Sequence, residues 1–283
     1  MNARIDPSLI ATPELYFATI ASGQRVPYAV HGTGEPLVFV HGSLCDYRYW
    51  DGQVKALSKG FLCVSVSLGH YWPSDEDCFP AEFSWKAHVR EMAEFIAAMN
   101  LGPVHLVGHS RGGCVAYHLA REYPELVKSL VLADPGGPLQ IDGMPPAAMP
   151  AATIALREEA AALIGQGQTE TGLELFIDSV SLPGVWRRSS QAFRTMAIDN
   201  AATLPMQFRD PLPAYDQAGA REVKCATLLL EGAKSPRMYR DNSGRLVEWI
   251  ARARKHMIEG ASHGMNVTHP ATFNRLIAEF VNG

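Results

Sequence analysis

The sequence predicts an α/β fold in which strands alternate with helices, interrupted late in the chain by a helical insertion. Three observations predict it. From Pro36 onward, short apolar runs that read as strands alternate with helical patterns. One such run, Val104-His105-Leu106-Val107, passes straight into Gly108-His109-Ser110-Arg111-Gly112. The chain leaves that turn as a helix, with Val115, Ala116, Leu119, Ala120 and Tyr123 at helical spacing. From about Pro138 to Val223 the composition shifts, opening on Pro145, Pro146 and Pro150 and carrying many methionines and aromatics.

At 283 residues the chain suits one sizeable domain with a large insertion. The composition shift divides the chain into residues 1–137 with 224–283 and an inserted segment of residues 138–223. Lysine plus arginine number 25 against 29 acidic residues, a formal net charge of -4. That balance argues against nucleic acid or an anionic membrane as the main partner. No apolar run approaches a membrane span. Met1 to Thr12 lacks a basic-then-apolar signal region, so a cytoplasmic location is expected. The five cysteines (Cys45, Cys63, Cys78, Cys114, Cys225) are scattered and show no metal-ligand spacing. Free thiols are expected, with no metal and no organic cofactor.

In chain order, Leu15 to Ile20 and Arg25 to Val30 read as a hairpin turned by Ser22-Gly23. Pro36 to Val40 reads as a buried strand ending in His41-Gly42-Ser43-Leu44. Phe61 to Val66 is the next strand, followed by a loop, Ser67 to Ser74, whose His70, Tyr71 and Trp72 either line a substrate mouth or simply pack. Trp85, Val89, Met92, Phe95, Ile96 and Met99 form one face of a helix, stopped at Asn100 to Pro103. After the Ser110 turn and its helix, Ser129 to Ala133 reads as a strand running into Asp134-Pro135. Three helices are expected in the inserted segment, near Ala151 to Ile164, Glu170 to Val180 and Trp186 to Asn200. Ala226 to Glu231 and Lys255 to Glu259 resume the sheet, with a helix between them that carries Leu246, Val247, Trp249 and Ile250. The loop Gly260-Ala261-Ser262-His263 leads to a final helix opened by His269-Pro270.

Gly-x-Ser-x-Gly between a strand and a helix is a turn in which strand and helix nearly touch, so small residues must flank the serine. With His41-Gly42 upstream and His263 before the last helix, the chain resembles the α/β-hydrolases from the first hairpin to the last helix. The resemblance implies a mostly parallel sheet with helices on both faces, a core of residues 1–137 and 224–283 under a helical cap of residues 138–223, and Ser110 as a nucleophile on a strained elbow. It also implies an oxyanion hole from the backbone N–H groups of Ser43 and Arg111. His41, Gly42, Leu44, His109 and Tyr71 are then expected around the substrate. His263 stands where the family's general base stands. His269, its near rival, is expected to cap the last helix.

The acid departs from the usual pattern. Most relatives place an aspartate after the seventh strand, where this chain has Ser235 in Gly232-Ala233-Lys234-Ser235-Pro236. Some members, haloalkane dehalogenases and zearalenone-lactonase-like enzymes among them, carry the acid after the sixth strand, where Asp134 stands here. Asp134 is the expected partner of His263, with Glu231 as second candidate and a turn-capping role before Pro135 as the plain alternative.

The function expected from this set is hydrolysis of a small-molecule ester or lactone by a Ser-His-Asp triad. Carbon–carbon bond hydrolysis or cofactor-free dioxygenation by the His-Asp pair is one alternative. A ligand-binding or signalling protein on a hydrolase scaffold, suggested by the missing carboxylate at Ser235, is another. The expected partner is the small-molecule substrate, and a homo-oligomer is compatible with the sequence.

Overall fold

The computed structural model describes residues 14–73 and 82–283. The expectations for Met1 to Thr12, Ser74 and Cys78 fall outside those residues. The strands are β1 (Leu15–Thr19), β2 (Arg25–His31), β3 (Glu35–Val40), β4 (Phe61–Val66), β5 (Val104–His109), β6 (Val127–Ala133), β7 (Ala226–Gly232) and β8 (Ala253–Ile258). The helices around the sheet are α1 (Asp51–Leu57), α2 (Trp85–Ala98) and α3 (Arg111–Glu122). Between β6 and β7 lie α4 (Ala151–Gly165), α5 (Thr169–Val180), α6 (Val185–Arg188), α7 (Gln191–Asp199), α8 (Thr203–Arg209) and α9 (Gln217–Glu222). The chain closes with α10 (Arg237–Trp249), α11 (Met265–Thr268) and α12 (Pro270–Asn282).

The strands form one eight-stranded sheet in the order β1-β2-β4-β3-β5-β6-β7-β8. β1 and β2 pair antiparallel, as do β2 and β4; every pairing from β4 to β8 is parallel. This is the mostly parallel sheet with a helical insertion that the sequence predicts. The central strands are buried on both sides, so their residues alternate between two cores. Val38, Val40, Leu106, Leu130, Leu132 and Leu229 face the core under α2 and α3. Leu37, Phe39, Val107, Val131, Leu228 and Leu230 face the core under α1 and α12. Chain order reverses between β3 and β5, and the crevice beyond the carboxyl ends of strands at such a point is where open α/β sheets bind ligands.

The insertion departs from expectation in two places. The helix predicted over Trp186 to Asn200 is broken into α6 and α7. Ser189 and Ser190 are both extended, and Ser190 Oγ accepts the Phe193 N–H to start α7 as a fresh N-cap. α8 and α9 were not predicted. Each is too short to show two turns of apolar periodicity, and Pro205 in the first turn of α8 reads as a breaker in sequence. The helices of the insertion bury their own cluster of Ala160, Leu173, Phe176, Ile177, Trp186, Ala197 and Leu204. Leu44, from the loop after β3, is part of it.

Candidate active site

Ser110 sits between β5 and α3 with φ 53° and ψ -120°, a conformation that costs a non-glycine residue roughly 1–3 kcal/mol. The surroundings hold it there. Its N–H donates to the Ala133 carbonyl at 3.1 Å, and its carbonyl accepts the N–H groups of Gly113 and Gly136 at 3.0 and 2.9 Å. A Cβ on Gly108 would collide with the Gly112 carbonyl, and one on Gly112 with the His41 carbonyl. The small residues around the serine are therefore demanded by backbone contact. Leu44 and Asp134, each just past the end of a neighbouring strand, also have positive φ, 60° and 41°.

His263 lies in the loop between β8 and α11 and is buried. Its Nδ1–H donates to Asp134 Oδ2 at 3.1 Å. Asp134 is fully buried, and its N–H donates to the Leu230 carbonyl at 2.9 Å. Ser235, at the usual place of the acid, donates its hydroxyl to the same Asp134 Oδ2 at 2.5 Å. The two loops that compete for the acid in sequence thus meet at one oxygen in space. Glu231 instead takes Lys255 Nζ at 3.2 Å. Burial holds the His263 imidazole below its ordinary value and raises the Asp134 carboxyl, while the Ser235 hydroxyl pulls that carboxyl back down. The imidazole rests neutral, the state a general base requires.

Two rings fix the His263 imidazole from either side. Tyr239, on α10, stacks on it with centroids 4.1 Å apart at 21°. His109 packs on it at 4.5 Å, and its Nε2–H donates to the His263 carbonyl at 2.8 Å. Burial pushes the His109 ring down to about 3, so it is a neutral donor. Burial raises the Tyr239 phenol well above its usual value, and the nearby Ser110 hydroxyl lowers it in part. Among the described residues no hydrogen bond joins Ser110 to His263. Sequence reasoning missed Tyr239; its only signal is its place one turn into a helix opened by Pro236.

The backbone N–H groups of Ser43 and Arg111 meet no acceptor among the described residues. Their side chains are both anchored to one element. Ser43 Oγ donates to Gln207 Oε1 at 2.5 Å, and Arg111 Nη2 donates to Asp210 Oδ2 at 2.5 Å. Gln207 is on α8 and Asp210 is its C-cap.

A cavity of about 1050 Å³ opens above Ser110 and His263, between the ends of the sheet and the inserted helices. That is at the upper end of ordinary small-molecule sites. Ser43, Leu44, His109 and Arg111 line it, with Leu139, Met149, Phe176, Phe193 and Phe208 among its apolar walls. His41, Gly42 and Tyr71, expected near substrate, are not part of its lining. His41 is buried behind the wall, its Nε2 accepting the Leu68 N–H at 3.0 Å and its ring packed on Tyr71. Gly42 backs directly onto Ser110, where a Cβ would stand 3.0 Å from the serine Cβ. His70 and Trp72 do not line the cavity either. Trp72 carries Arg48 over its ring at 3.8 Å, and its N–H donates to Asn200 in the insertion at 2.7 Å. Among the described residues no cluster of three or more His, Cys, Asp or Glu is arranged to hold a metal. No helix among them is long and apolar enough to cross a membrane.

Known proteins resemble this chain along most of its length. A bromoperoxidase from Bacillus anthracis superposes with a TM-score of 0.80 at 23% identity, covering 95% of this chain and 100% of that one. An esterase from Exiguobacterium antarcticum does so with a TM-score of 0.77 at 21% identity, covering 94% and 99%. The (E)-2-((N-methylformamido)methylene)succinate hydrolase of Acinetobacter baylyi is 23% identical over 262 residues, 90% of this chain and 94% of that one. Uncharacterised proteins of Mycobacterium bovis and Mycobacterium tuberculosis are 30% identical over 128 residues, but the chain spans only 37% of their length. The family profile described as alpha/beta hydrolase matches residues 37–276, which takes in most of β3, the Ser110 turn, Asp134 and His263, and the chain belongs to that family.

Proposed function

We propose that this protein is a serine hydrolase that cleaves a small-molecule carboxylic ester or lactone through an acyl-enzyme. The observation that carries the reading is the contact between His263 Nδ1 and Asp134 Oδ2, made beside Ser110 at the floor of a large apolar cavity. In the proposed cycle the Ser110 hydroxyl turns toward His263. Ser110 Oγ attacks the carbonyl carbon while His263 Nε2 takes its proton. The N–H groups of Ser43 and Arg111 hold the oxyanion, and Asp134 stabilises the imidazolium. The carbon–oxygen bond to the alcohol breaks, and the departing oxygen takes the proton from His263. Water then attacks the acyl-enzyme, giving a proton to His263. The acid leaves as Ser110 regains that proton. The scheme needs no metal and no organic cofactor.

The test is a pre-steady-state time course with p-nitrophenyl acetate and butyrate, wild type beside Ser110→Ala. The expected result is a burst near one equivalent followed by turnover, absent in the variant. Equal traces for the two proteins would overturn the acyl-enzyme.

A second reading has its own support. Among the described residues His263 bonds Asp134, and no hydrogen bond joins it to Ser110. In addition, a relative aligned over 95% of both chains is named 2-hydroxymuconate semialdehyde hydrolase. On this reading the His263–Asp134 pair deprotonates the substrate in carbon–carbon bond hydrolysis or cofactor-free dioxygenation. It predicts turnover retained in Ser110→Ala and lost in His263→Ala. The binding-scaffold reading has lost its motive, because Asp134 is at His263 although position 235 is a serine.

A further inference from the structure

Four arginines line the cavity: Arg111, Arg157, Arg188 and Arg237. Three of them are engaged. Arg111 pairs with Asp210, Arg188 donates to the Pro183 carbonyl at 2.9 Å, and Arg237 meets Asp241 at 3.3 Å. Arg157, on α4, has no hydrogen-bond acceptor and no ion-pair partner among the described residues; its contact is the face of Phe208, 5.4 Å from guanidinium carbon to ring centroid. Among the described residues the carboxylates that line the cavity, Asp210 and Asp241, are already taken by other arginines. Burial lowers the Arg157 guanidinium from its usual value, and the Arg111 charge lowers it further. A lone cation therefore shares one cavity with Ser110, Arg111 and Tyr239.

A guanidinium in apolar walls is tolerated while water fills the cavity. When a substrate displaces that water, the cation needs an anion or it opposes binding. Its planar fork matches a carboxylate in geometry. We propose that Arg157 is a carboxylate-binding subsite, and that the cavity takes esters whose acyl part carries a second, free carboxylate. This rests on the hydrolase reading above. The neighbouring walls, Phe176, Ile177 and Phe208, are apolar and suit the carbon chain between the two groups.

The experiment compares monoethyl succinate, glutarate and adipate with ethyl butyrate, valerate and hexanoate, followed in a pH-stat with wild type, Arg157→Gln and Arg157→Lys. The expected result is a wild-type preference, in kcat/KM, for the acid of the best length over its neutral partner. The ratio of acid to neutral should fall about 10- to 100-fold in Arg157→Gln, mainly through KM, and less in Arg157→Lys. A general loss of folded protein lowers both rates and leaves the ratio unmoved. Calorimetric titration of Ser110→Ala, and of Ser110→Ala with Arg157→Gln, by monoethyl glutarate gives a readout free of turnover. Hydrolysis of both ester types with no Arg157-dependent ratio overturns the subsite and leaves the hydrolase. Arg157-dependent binding without hydrolysis keeps the subsite and overturns the hydrolase. Neither binding nor hydrolysis overturns both.

Discussion

Asp134 Oδ2 accepts from both His263 and Ser235, and this one oxygen organises the chemistry at the residue scale. Removing its charge leaves His263 without a partner for the imidazolium. Asp134→Asn is expected to lower kcat by roughly 10³–10⁴-fold with the fold intact, read by steady-state kinetics beside circular dichroism. Ser235→Ala is a finer probe. The hydroxyl lowers the Asp134 pKa, so its loss raises it, and the buried pair takes up a proton at higher pH. The acid limb of the kcat/KM profile should move to higher pH in Ser235→Ala, with a small loss at the plateau. A limb unmoved by Ser235→Ala would sever the serine from the pair.

α8 carries a separate role at the element scale. Through Gln207 and Asp210 it holds the side chains of Ser43 and Arg111, the two residues whose N–H groups are proposed to receive the oxyanion. Asp210 Oδ2 also accepts the Trp85 N–H at 2.8 Å, which ties the start of α2 to the same point. An element of the insertion thus braces both halves of the proposed oxyanion hole. Asp210→Asn should leave the buried Arg111 charge poorly matched and cost about 1.5–3 kcal/mol in denaturant unfolding. It should also lower kcat more than it raises KM, since the oxyanion exists only beyond the ground state. A loss confined to stability would show that the brace is structural alone. Gly112→Ala tests the elbow itself: the added methyl meets the His41 carbonyl, and a destabilisation of about 1–3 kcal/mol or more is expected by the same measurement.

Across the whole molecule, the double burial of the central strands sets where stability resides. Leu130 and Leu228 face opposite cores and both are fully buried. Truncating either to alanine should cost about 2–5 kcal/mol in denaturant unfolding. Met257, on the edge strand β8, is 51% exposed among the charged Arg254 and Lys255, and Met257→Ala should stay within about 0.5 kcal/mol of wild type. Equal losses at all three would contradict the layered picture. The same layering leaves the strand ends free to carry chemistry. Leu44, Ser110 and Asp134, each in a positive-φ conformation, follow β3, β5 and β6, which are adjacent in the sheet.

Much of this was legible in the chain before its structure. Strands buried on both faces leave continuous apolar runs, and a strand-to-helix contact through Gly108 and Gly112 leaves a local pattern, so the order of strands and the Ser110 turn could be read directly. His263 was legible because its position before a terminal amphipathic helix is itself local. What the tertiary structure alone decided was every relation between distant segments. Residues 101 apart put Ser235 on Asp134, and residues 129 apart put His263 there too. Tyr239 over His263, α8 under Ser43 and Arg111, and an unpaired Arg157 in the cavity leave no periodic or local mark. The same holds for the withdrawal of His41 and Tyr71 behind the cavity wall. The physical reason is that apolar burial and backbone sterics act on neighbours in sequence and so write themselves into it, whereas hydrogen-bond partners and cavity walls are chosen by the packing of elements, which no single stretch of chain contains.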